Sequence, residues 1–198
     1  MKDEGLERVT MRRLGAELDT GPASLYVYVR NTAELHGALL DELLADLDLD
    51  PGAGAGAHRW RDRLVDLLMS YTGLLFAHPS LARSILTLRP SGPHYLRLID
   101  TVLGLLRAGG VPARPAAWGV DILLQHAVAT AAEQGSRVEV AAAASEEEDL
   151  ALAVAEADPA AYPEIVRVRD ELFSGTGEER GRWAFEALVA GLTAGAVS

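Results

Sequence analysis

The sequence predicts an all-α protein, and three observations support that fold class. Apolar residues recur at intervals of three and four along most of the 198 residues, which is the spacing of an amphipathic helix. No stretch of alternating polar and apolar residues is long enough to form a sheet. Capping boxes, in which a small polar residue precedes a glutamate by three positions, stand at Asn31, Ser145 and Thr176.

Two short helices joined by a tight turn form the N-terminal part of the predicted fold. The first covers residues 10–18, with Thr10 as its N-cap. The second covers residues 22–29, where a proline is tolerated in the first helical turn. Asp19-Thr20-Gly21 lies between them. Aspartate tolerates the left-handed backbone conformation better than most residues, so we expect the turn to form.

A long third helix follows directly, and the capping box Asn31-Thr32-Ala33-Glu34 begins it. Leucines at four-residue spacing give it one apolar stripe, which two further leucines widen. The stripe is Leu35, Leu39, Leu43 and Leu47, and the widening residues are Leu40 and Leu44. A charge-free segment rich in glycine and proline, residues 51–56, forms a linker. We therefore divide the chain into a first domain of residues 1–50 and a second of residues 51–198.

Helices also account for most of the chain beyond the linker. We predict four in succession, at residues 58–77, 79–88, 92–108 and 113–134. Residues 135–144 carry no clear signal. The capping box at Ser145 begins a helix that stops at Asp158-Pro159, because the residue before a proline avoids the helical conformation. Residues 162–173 are predicted to be helical, and the capping box at Thr176 begins a final helix that ends near Val197.

The composition argues against several classes of protein. The chain has no cysteine, which excludes disulfide frameworks and thiol catalysis. Its first residues are charged, and its longest apolar stretch is interrupted by Asp121, so we expect neither a signal peptide nor a membrane span. The five histidines form no close ligand pair, and no serine has a visible triad partner. We expect a cytoplasmic protein with no metal site, no cofactor and no catalytic residues.

Charge is distributed unevenly along the chain. The formal net charge is −11, yet residues 8–31 hold four arginines against two carboxylates, a local net charge of +2. Residues 32–50 hold six acids and no base, and residues 139–158 hold seven acids and no base. A weakly basic tip thus precedes an acidic body. Nonspecific affinity for DNA should be modest, because most of it comes from neutralising phosphates.

The two short helices and their turn match the geometry of a helix-turn-helix. In such a unit the first helix crosses the DNA backbone and the second lies in the major groove. The second predicted helix carries Tyr26 and Tyr28, whose hydroxyls can reach phosphates. Ser24 can bond a phosphate or a base edge, and Arg30 and Asn31 supply donors for phosphate at the helix end. The alternative is a set of core helices with no role at DNA.

The segment from residue 5 to about residue 47 resembles the DNA-binding part of the tetracycline-repressor (TetR) family. The matching features are Val9-Thr10, Arg12-Arg13, Leu14, Leu18, Leu25-Tyr26, Tyr28-Val29, Arg30-Asn31 and Glu34-Leu35. The resemblance implies an N-terminal helix-turn-helix, whose first helix is largely missing ahead of Gly5, followed by a helical ligand-binding and dimerisation body. It also implies a homodimeric transcriptional regulator, usually a repressor, which a small-molecule effector releases from a palindromic operator in double-stranded DNA.

The resemblance implies a role for each position of the DNA-binding segment. Thr10 would bond a phosphate, and Arg12 would reach into the groove, where arginine can pair with guanine. Four residues of the second helix would lie against bases: Pro22, Ala23, Ser24 and Val27. Four others would hold the DNA backbone: Tyr26, Tyr28, Arg30 and Asn31.

The last predicted helix has features of a helix–helix interface. A stripe of small residues at four-residue spacing lets two helices approach closely, and apolar side chains flank it. The residues that we assign to the interface are Phe185, Ala187, Leu188, Gly191, Leu192 and Gly195. In the family, the final helix and the long helix near residues 113–134 form a four-helix bundle between two subunits. We therefore favour dimerisation over packing within one chain. Two recognition helices ~34 Å apart would then meet successive major grooves.

Aromatic and polar residues scattered through the second domain are candidates for a ligand pocket. A mostly apolar cavity with a few polar anchors suits a small lipophilic effector. The candidates are Tyr71, Phe76, His94, Trp118, Gln125 and His126. We favour Gln125-His126, because buried polar groups in an apolar helix need a partner that a ligand could supply. Any one of them could also be ordinary core.

Two alternatives remain open at this point. Without its first helix, the protein could be an effector-binding helical dimer that does not bind DNA. It could also be an enzyme on a helical scaffold, although the sequence displays no cluster of carboxylates, histidines or metal ligands for it. Salt-dependent binding to DNA would distinguish a regulator from both.

Overall fold

The computed structural model describes residues 13, 16, 17, 19, 29, 31–49, 59–139 and 143–194, and it confirms the predicted all-α fold there. The helices are α1 (Thr32–Leu44), α2 (Trp60–Phe76), α3 (Pro79–Ile85), α4 (Pro93–Ala108), α5 (Ala113–Glu139), α6 (Ala143–Ala155), α7 (Pro163–Arg167), α8 (Arg169–Leu172) and α9 (Gly177–Ala194). The linker at residues 51–56 lies outside the described residues, as does most of the predicted helix-turn-helix. Within that unit, Asp19 has a φ of 49°, the left-handed conformation that its turn was predicted to need.

The hydrophobic core lies around α5, which packs against α2, α3, α4 and α9. An added Cβ at Gly135 would lie 2.9 Å from the side chain of Pro79, so the missing side chain lets α3 approach α5 closely. This packing lies in the part of α5, residues 135–139, that carries no clear helix signal in the sequence. α3 ends at Ile85 rather than at residue 88, and a turn at Leu86 and Thr87 follows it.

α1 begins as predicted, because the Asn31 side chain accepts a hydrogen bond from the backbone N–H of Glu34 at 2.9 Å. The predicted apolar stripe, however, is rotated from the observed one. The buried leucines are Leu35, Leu40 and Leu44, and the half-buried ones are Leu39, Leu43 and Leu47. α1 rests on α3 and α4, which centres its buried face on the two leucines that were predicted only to widen the stripe.

The C-terminal third departs from the prediction in two places. α6 begins at Ala143, so Ser145 lies inside the helix and does not cap it. Alanine has the highest helix propensity, and alanines precede Ser145. The region 162–173 forms two short helices that are separated at Val168. None of the described side chains of α6, α7 and α8 is buried.

The final helix begins with the predicted capping box. The Thr176 N–H donates to Oε2 of Glu179 at 2.7 Å, and the Glu179 N–H donates to Oγ1 of Thr176 at 3.2 Å. Further along, Arg182 donates to Oδ1 of Asp66 on α2 at 2.6 Å. α9 is therefore held against α2 by a polar contact beside the core.

Two further observations concern the described ranges alone. None of the helices in these ranges is both long enough and apolar enough to cross a membrane. Their His, Asp and Glu side chains also form no group of three that could hold a metal ion.

Candidate ligand-binding site

A cavity of about 350 Å³ lies between the end of α3, the start of α4 and the middle of α5. Its size falls in the range of pockets that bind small molecules. Apolar side chains form much of the wall: Ile85, Leu86, Leu88, Pro90, Ile99, Leu124 and Val128. The polar groups that line it are Thr87, Arg89, Tyr95, Asp121 and Gln125. Polar and apolar atoms contribute about equally to the exposed wall, so the cavity is more polar than the sequence predicted.

The charged groups at the cavity balance each other. Nη1 of Arg89 lies 3.4 Å from Oδ1 of Asp121, and both side chains are largely exposed. An ion pair of that kind contributes little to stability, since water screens it. Tyr95 is half-buried at the same wall. Burial raises the pKa of its hydroxyl, Asp121 raises it further and Arg89 opposes the change. Tyr95 therefore faces the cavity as a neutral phenol.

Of the six residues predicted to bind the effector, Gln125 is the one that lines this cavity. Its side chain is exposed, so the expectation that it is buried in an apolar helix is wrong. Gln125 lies on α5 between the buried residues Leu124 and Val128, on a side of the helix that faces away from the core. The next residue, His126, is half-buried and packs edge-on against Phe185, with ring centroids 5.2 Å apart.

The other predicted residues occupy different environments. Phe76 is 43% exposed at the end of α2, and Trp118 is 61% exposed on α5. The guanidinium of Arg114 lies 4.5 Å from the centroid of the Trp118 ring. His94 is half-buried in the first turn of α4. Tyr71 is fully buried in the core and is not among the residues that line the cavity.

Sequence reasoning missed the segment between α3 and α4, which supplies Thr87, Arg89 and Pro90 to the wall. It also missed Asp121, which was noted only as an interruption of an apolar stretch. These residues approach one another through the packing of α3, α4 and α5. The one available signal was the pair of prolines Pro90 and Pro93 around Gly92, which marks a turn between helices.

The start of α4 is tied to α1 by a carboxylate. The Asp41 side chain accepts hydrogen bonds from the backbone N–H groups of His94, at 3.0 Å, and Tyr95, at 2.9 Å. These are the donors that an N-cap side chain normally satisfies. The N-cap residue itself is Gly92, which has no side chain to offer. An added Cβ at Gly92 would lie 2.2 Å from Cγ of Asp41, so glycine also leaves room for the carboxylate.

A second contact joins the cavity wall to α1. An added Cβ at Gly37 would lie 3.4 Å from Cδ2 of Leu88. Leu88 lines the cavity, and Gly37 lies on α1, the helix that follows the predicted helix-turn-helix. The cavity wall therefore meets α1 at two points, Gly37 and Asp41, which are one helical turn apart.

α5 and α9 run antiparallel and expose apolar residues. Gly119 of α5 faces Leu192 of α9, whereas His126 lies against Phe185, so residue numbers rise on one helix as they fall on the other. The exposed residues of these two helices include Trp118 and Ile122 on α5 and Trp183, Ala187 and Gly191 on α9. Trp183 is 70% exposed and was missed because sequence reasoning began the interface at residue 185.

The predicted interface residues divide into two groups. Ala187 and Gly191 are exposed, and an added Cβ at Gly191 would meet nothing within 4 Å. Leu188 and Leu192 are half-buried. Phe185 is 1% exposed, so it has no surface for a partner and belongs to the core of the protomer. Gly195 lies outside the described residues.

Most residues predicted to contact DNA also lie outside the described residues: Thr10, Arg12, Pro22, Ala23, Ser24, Tyr26, Val27, Tyr28 and Arg30. Asn31 is described, and its side chain is exposed. Its Oδ1 caps α1, which leaves its amide nitrogen as the group that could donate to a phosphate.

Comparison with known proteins gives consistent matches. The family described as "Tetracyclin repressor-like, C-terminal domain" matches residues 51–195. The crystal structure of the putative transcription regulator SCO7704 from Streptomyces coelicolor is 53% identical, with 98% of this chain and 88% of that chain covered and a TM-score of 0.78. ActR from Streptomyces coelicolor, solved with actinorhodin, is 32% identical, with 98% of this chain and 90% of that chain covered and a TM-score of 0.84.

A curated relative matches over a shorter stretch. The HTH-type transcriptional repressor DrrR1 from Streptomyces coeruleorubidus is 34% identical over 108 residues. That stretch is 54% of this chain and spans 39% of the length of DrrR1.

Proposed function

The chain belongs to the TetR family of transcriptional regulators. From this premise we propose that it is a homodimeric repressor that dissociates from DNA when it binds a small lipophilic ligand. The similar protein DrrR1 is named as a transcriptional repressor, and ActR has been solved with actinorhodin. The family consists of regulators rather than enzymes, and we propose no catalytic role for this chain. A repressor acts where the DNA is, so we also propose a cytoplasmic location.

We assign operator binding to residues 1–50 and ligand binding and dimerisation to residues 51–198. The match to the C-terminal family begins at residue 51, which supports this division. The proposed DNA contacts are the ones implied by the resemblance: Thr10, Arg12, Pro22, Ala23, Ser24, Tyr26, Val27, Tyr28, Arg30 and Asn31. Because residues 8–31 have a local net charge of only +2, sequence readout must supply much of the affinity.

The ligand is proposed to occupy the cavity between α3, α4 and α5. The apolar side chains in its wall support a ligand with lipophilic parts, and Tyr95, Gln125 and Thr87 can bond polar atoms on it. Since Arg89 and Asp121 pair with each other, the wall has no net charge to favour an anion or a cation. Because ActR, which is 32% identical, has been solved with actinorhodin, that compound is a first ligand to test.

The single observation that carries the proposal is the link between the cavity and α1. Tyr95 lines the cavity, and the N–H of the same residue is held by Asp41. We propose that a ligand which displaces the Tyr95 side chain also shifts the first turn of α4, and that Asp41 passes this shift to α1, which follows the proposed helix-turn-helix. Rotating α1 in both subunits changes the separation of the two recognition helices. Coupling of ~1–3 kcal/mol is enough to weaken DNA binding usefully.

Dimerisation is proposed through the exposed faces of α5 and α9. Large apolar side chains with high exposure can mark an interaction surface, and three of those described here, Trp118, Ile122 and Trp183, lie on the two helices that form the bundle between subunits in the family. Ala187 and Gly191 leave room for a partner helix to approach. Together with Leu188, Leu192 and Gly195 they make the proposed interface, to which we add Trp118, Ile122 and Trp183.

Fluorescence anisotropy on labelled DNA from beside the protein's own gene tests this function. With the full product of the gene, we expect binding that weakens steeply between ~50 and ~200 mM salt, because each phosphate contact releases a counterion. A scrambled duplex of the same composition is the control. A stable dimer that ignores both duplexes at low salt would contradict the repressor and favour an effector-binding dimer.

A further inference from the structure

The cavity between α3, α4 and α5 has a buried side and an exposed rim of different chemistry. Three of its apolar residues belong to the core of the protomer: Ile85, Leu124 and Val128. Four of its polar residues are exposed: Thr87, Arg89, Asp121 and Gln125. A ligand that matches this division places its apolar body against the buried side and its polar atoms at the rim.

The rim holds a cation and an anion side by side. Arg89 comes from the segment between α3 and α4, Asp121 comes from α5, and Nη1 of Arg89 lies 3.4 Å from Oδ1 of Asp121. Charge-assisted bonds between nitrogen and oxygen are shorter, about 2.7–2.9 Å. The two side chains are 91% and 66% exposed, so water screens their attraction. Their contact also uses one of the five N–H donors of an arginine, which leaves others for a ligand.

Gln125 extends this polar rim along α5. It follows Asp121 by four residues, so the two lie on the same side of the helix, one turn apart. An ionised carboxylate only accepts hydrogen bonds, a guanidinium only donates them, and the amide of a glutamine does both. The rim therefore offers donors and acceptors close together instead of a single charge.

We propose that this rim recognises a neutral cis-amide edge, such as that of a lactam, whose carbonyl oxygen accepts from Arg89 and whose N–H donates to Asp121. This inference rests on the proposed function, because it specifies the chemistry of the ligand that the cavity accepts. The ligand class is a lipophilic ring system that carries an acceptor and a donor side by side on one edge. The ring system occupies the buried side of the cavity, and the amide edge lies at the rim.

The opposite charges of the pair select a neutral group. A ligand carboxylate would gain Arg89 but lie beside the carboxylate of Asp121, and a ligand ammonium would meet the reverse arrangement. A neutral edge satisfies both side chains at once, and its desolvation costs less than that of an ion. A ketone of the same shape satisfies Arg89 alone. The N–H of the ligand is therefore the group that Asp121 selects.

The test compares two probes of nearly equal shape, 3,4-dihydroquinolin-2-one and 2-tetralone. Both have a carbonyl at the same place in the same ring system, and a CH2 group in 2-tetralone replaces the N–H of the lactam. Ligand-observed NMR measures the affinity of each probe and shows whether one displaces the other. We expect the wild type to bind the lactam about tenfold more tightly than 2-tetralone, which is the usual contribution of one hydrogen bond.

Three variants assign this difference to the rim. Asp121→Ala should weaken the lactam about tenfold and leave 2-tetralone unchanged, because only the lactam has an N–H to donate. Arg89→Ala should weaken both probes, because both have the carbonyl. Asp100→Ala removes an exposed carboxylate of α4 that does not line the cavity, so this matched control should change neither affinity. All three residues are exposed, and we expect the melting temperatures of the variants to stay close to that of the wild type.

The outcomes separate this inference from the proposed function. If the wild type binds both probes with equal affinity, or if Asp121→Ala weakens them equally or not at all, recognition of a cis-amide edge is wrong while the cavity stands as the ligand site. If the wild type binds neither probe at millimolar concentration, both the edge recognition and the cavity as ligand site are wrong. The DNA titration, which uses neither probe, decides the repressor function independently.

Discussion

Removing the carboxylate of Asp41 perturbs the link between α1 and α4 at one defined place. Asp41→Ala deletes two hydrogen bonds, to the N–H groups of His94 and Tyr95, and leaves the first turn of α4 without a cap. Loss of an N-cap costs about 0.5–2 kcal/mol, and bonds to a charged group lie in the upper part of that range. Since Asp41 is half-buried, water can replace part of the loss. We expect destabilisation of about 1–2 kcal/mol, or a melting temperature lower by roughly 2–8 °C.

A second substitution separates the cap from the link. Gly92 is the N-cap of α4, and its backbone is extended, with φ −71° and ψ 161°, as an N-cap serine requires. The three atoms nearest to an added Cβ at Gly92 all belong to Asp41. Gly92→Ser alone should therefore destabilise the protein by steric overlap. In the Asp41→Ala background it should stabilise, because serine then caps α4 locally.

The assay for this pair is a double-mutant cycle followed by thermal or urea unfolding, with DNA release by ligand measured on the same four proteins. We expect the double variant to regain most of the wild-type stability while its DNA affinity responds less to ligand, since α4 is capped but no longer joined to α1. Two outcomes would refute the reasoning. One is additive effects on stability, and the other is an unchanged ligand response in the double variant.

Three further predictions concern single residues. Gly191→Leu should leave the thermal stability of the protomer intact, because its Cβ faces open space, but should give a monomer on size-exclusion chromatography; Gly73→Leu, also in open space, is the control, and a dimeric Gly191→Leu would contradict the interface. Gly37→Ala should stabilise by about 0.5–1 kcal/mol through helix propensity, and urea unfolding beside Gly104→Ala, which meets nothing within 4 Å, isolates the contribution of the Leu88 contact. Burial lowers the pKa of His36 below 6.5, so the unfolded chain takes up the proton more readily and stability falls as the pH drops below about 6.5. Thermal melts between about pH 7.5 and 5.5 should show this decline flattened in His36→Gln, and an equally steep decline would exclude His36 as its cause.

Local sequence patterns were enough to predict what depends on neighbouring residues. The caps at Asn31 and Thr176 each join two groups three residues apart, and both form. The left-handed turn at Asp19 likewise follows from the residue type. The sequence at Ser145 matches the capping-box pattern equally well, but Ser145 does not cap a helix. The alanines before it favour helix as well, so the helix begins at Ala143. Pattern and propensity conflicted there, and propensity decided.

The candidate site could be predicted only in part, because tertiary packing creates it. Gln125 was chosen for supposed burial and lines the cavity from an exposed position. Asp41 caps a helix that begins more than fifty residues later, and no spacing rule reaches that far. Phe185 matches an interface stripe in the sequence yet faces inward, since a helix with apolar residues on several faces can pack by any of them.

The most direct test of the whole account is whether ligand and DNA compete through the protein. Anisotropy titrations of labelled operator DNA with the full product of the gene are run with and without actinorhodin, and calorimetry confirms occupancy of the cavity. The account predicts that saturating ligand weakens DNA binding by about 5- to 150-fold, and that DNA weakens ligand binding by the same factor. An unchanged DNA affinity while the ligand fills the cavity would contradict it.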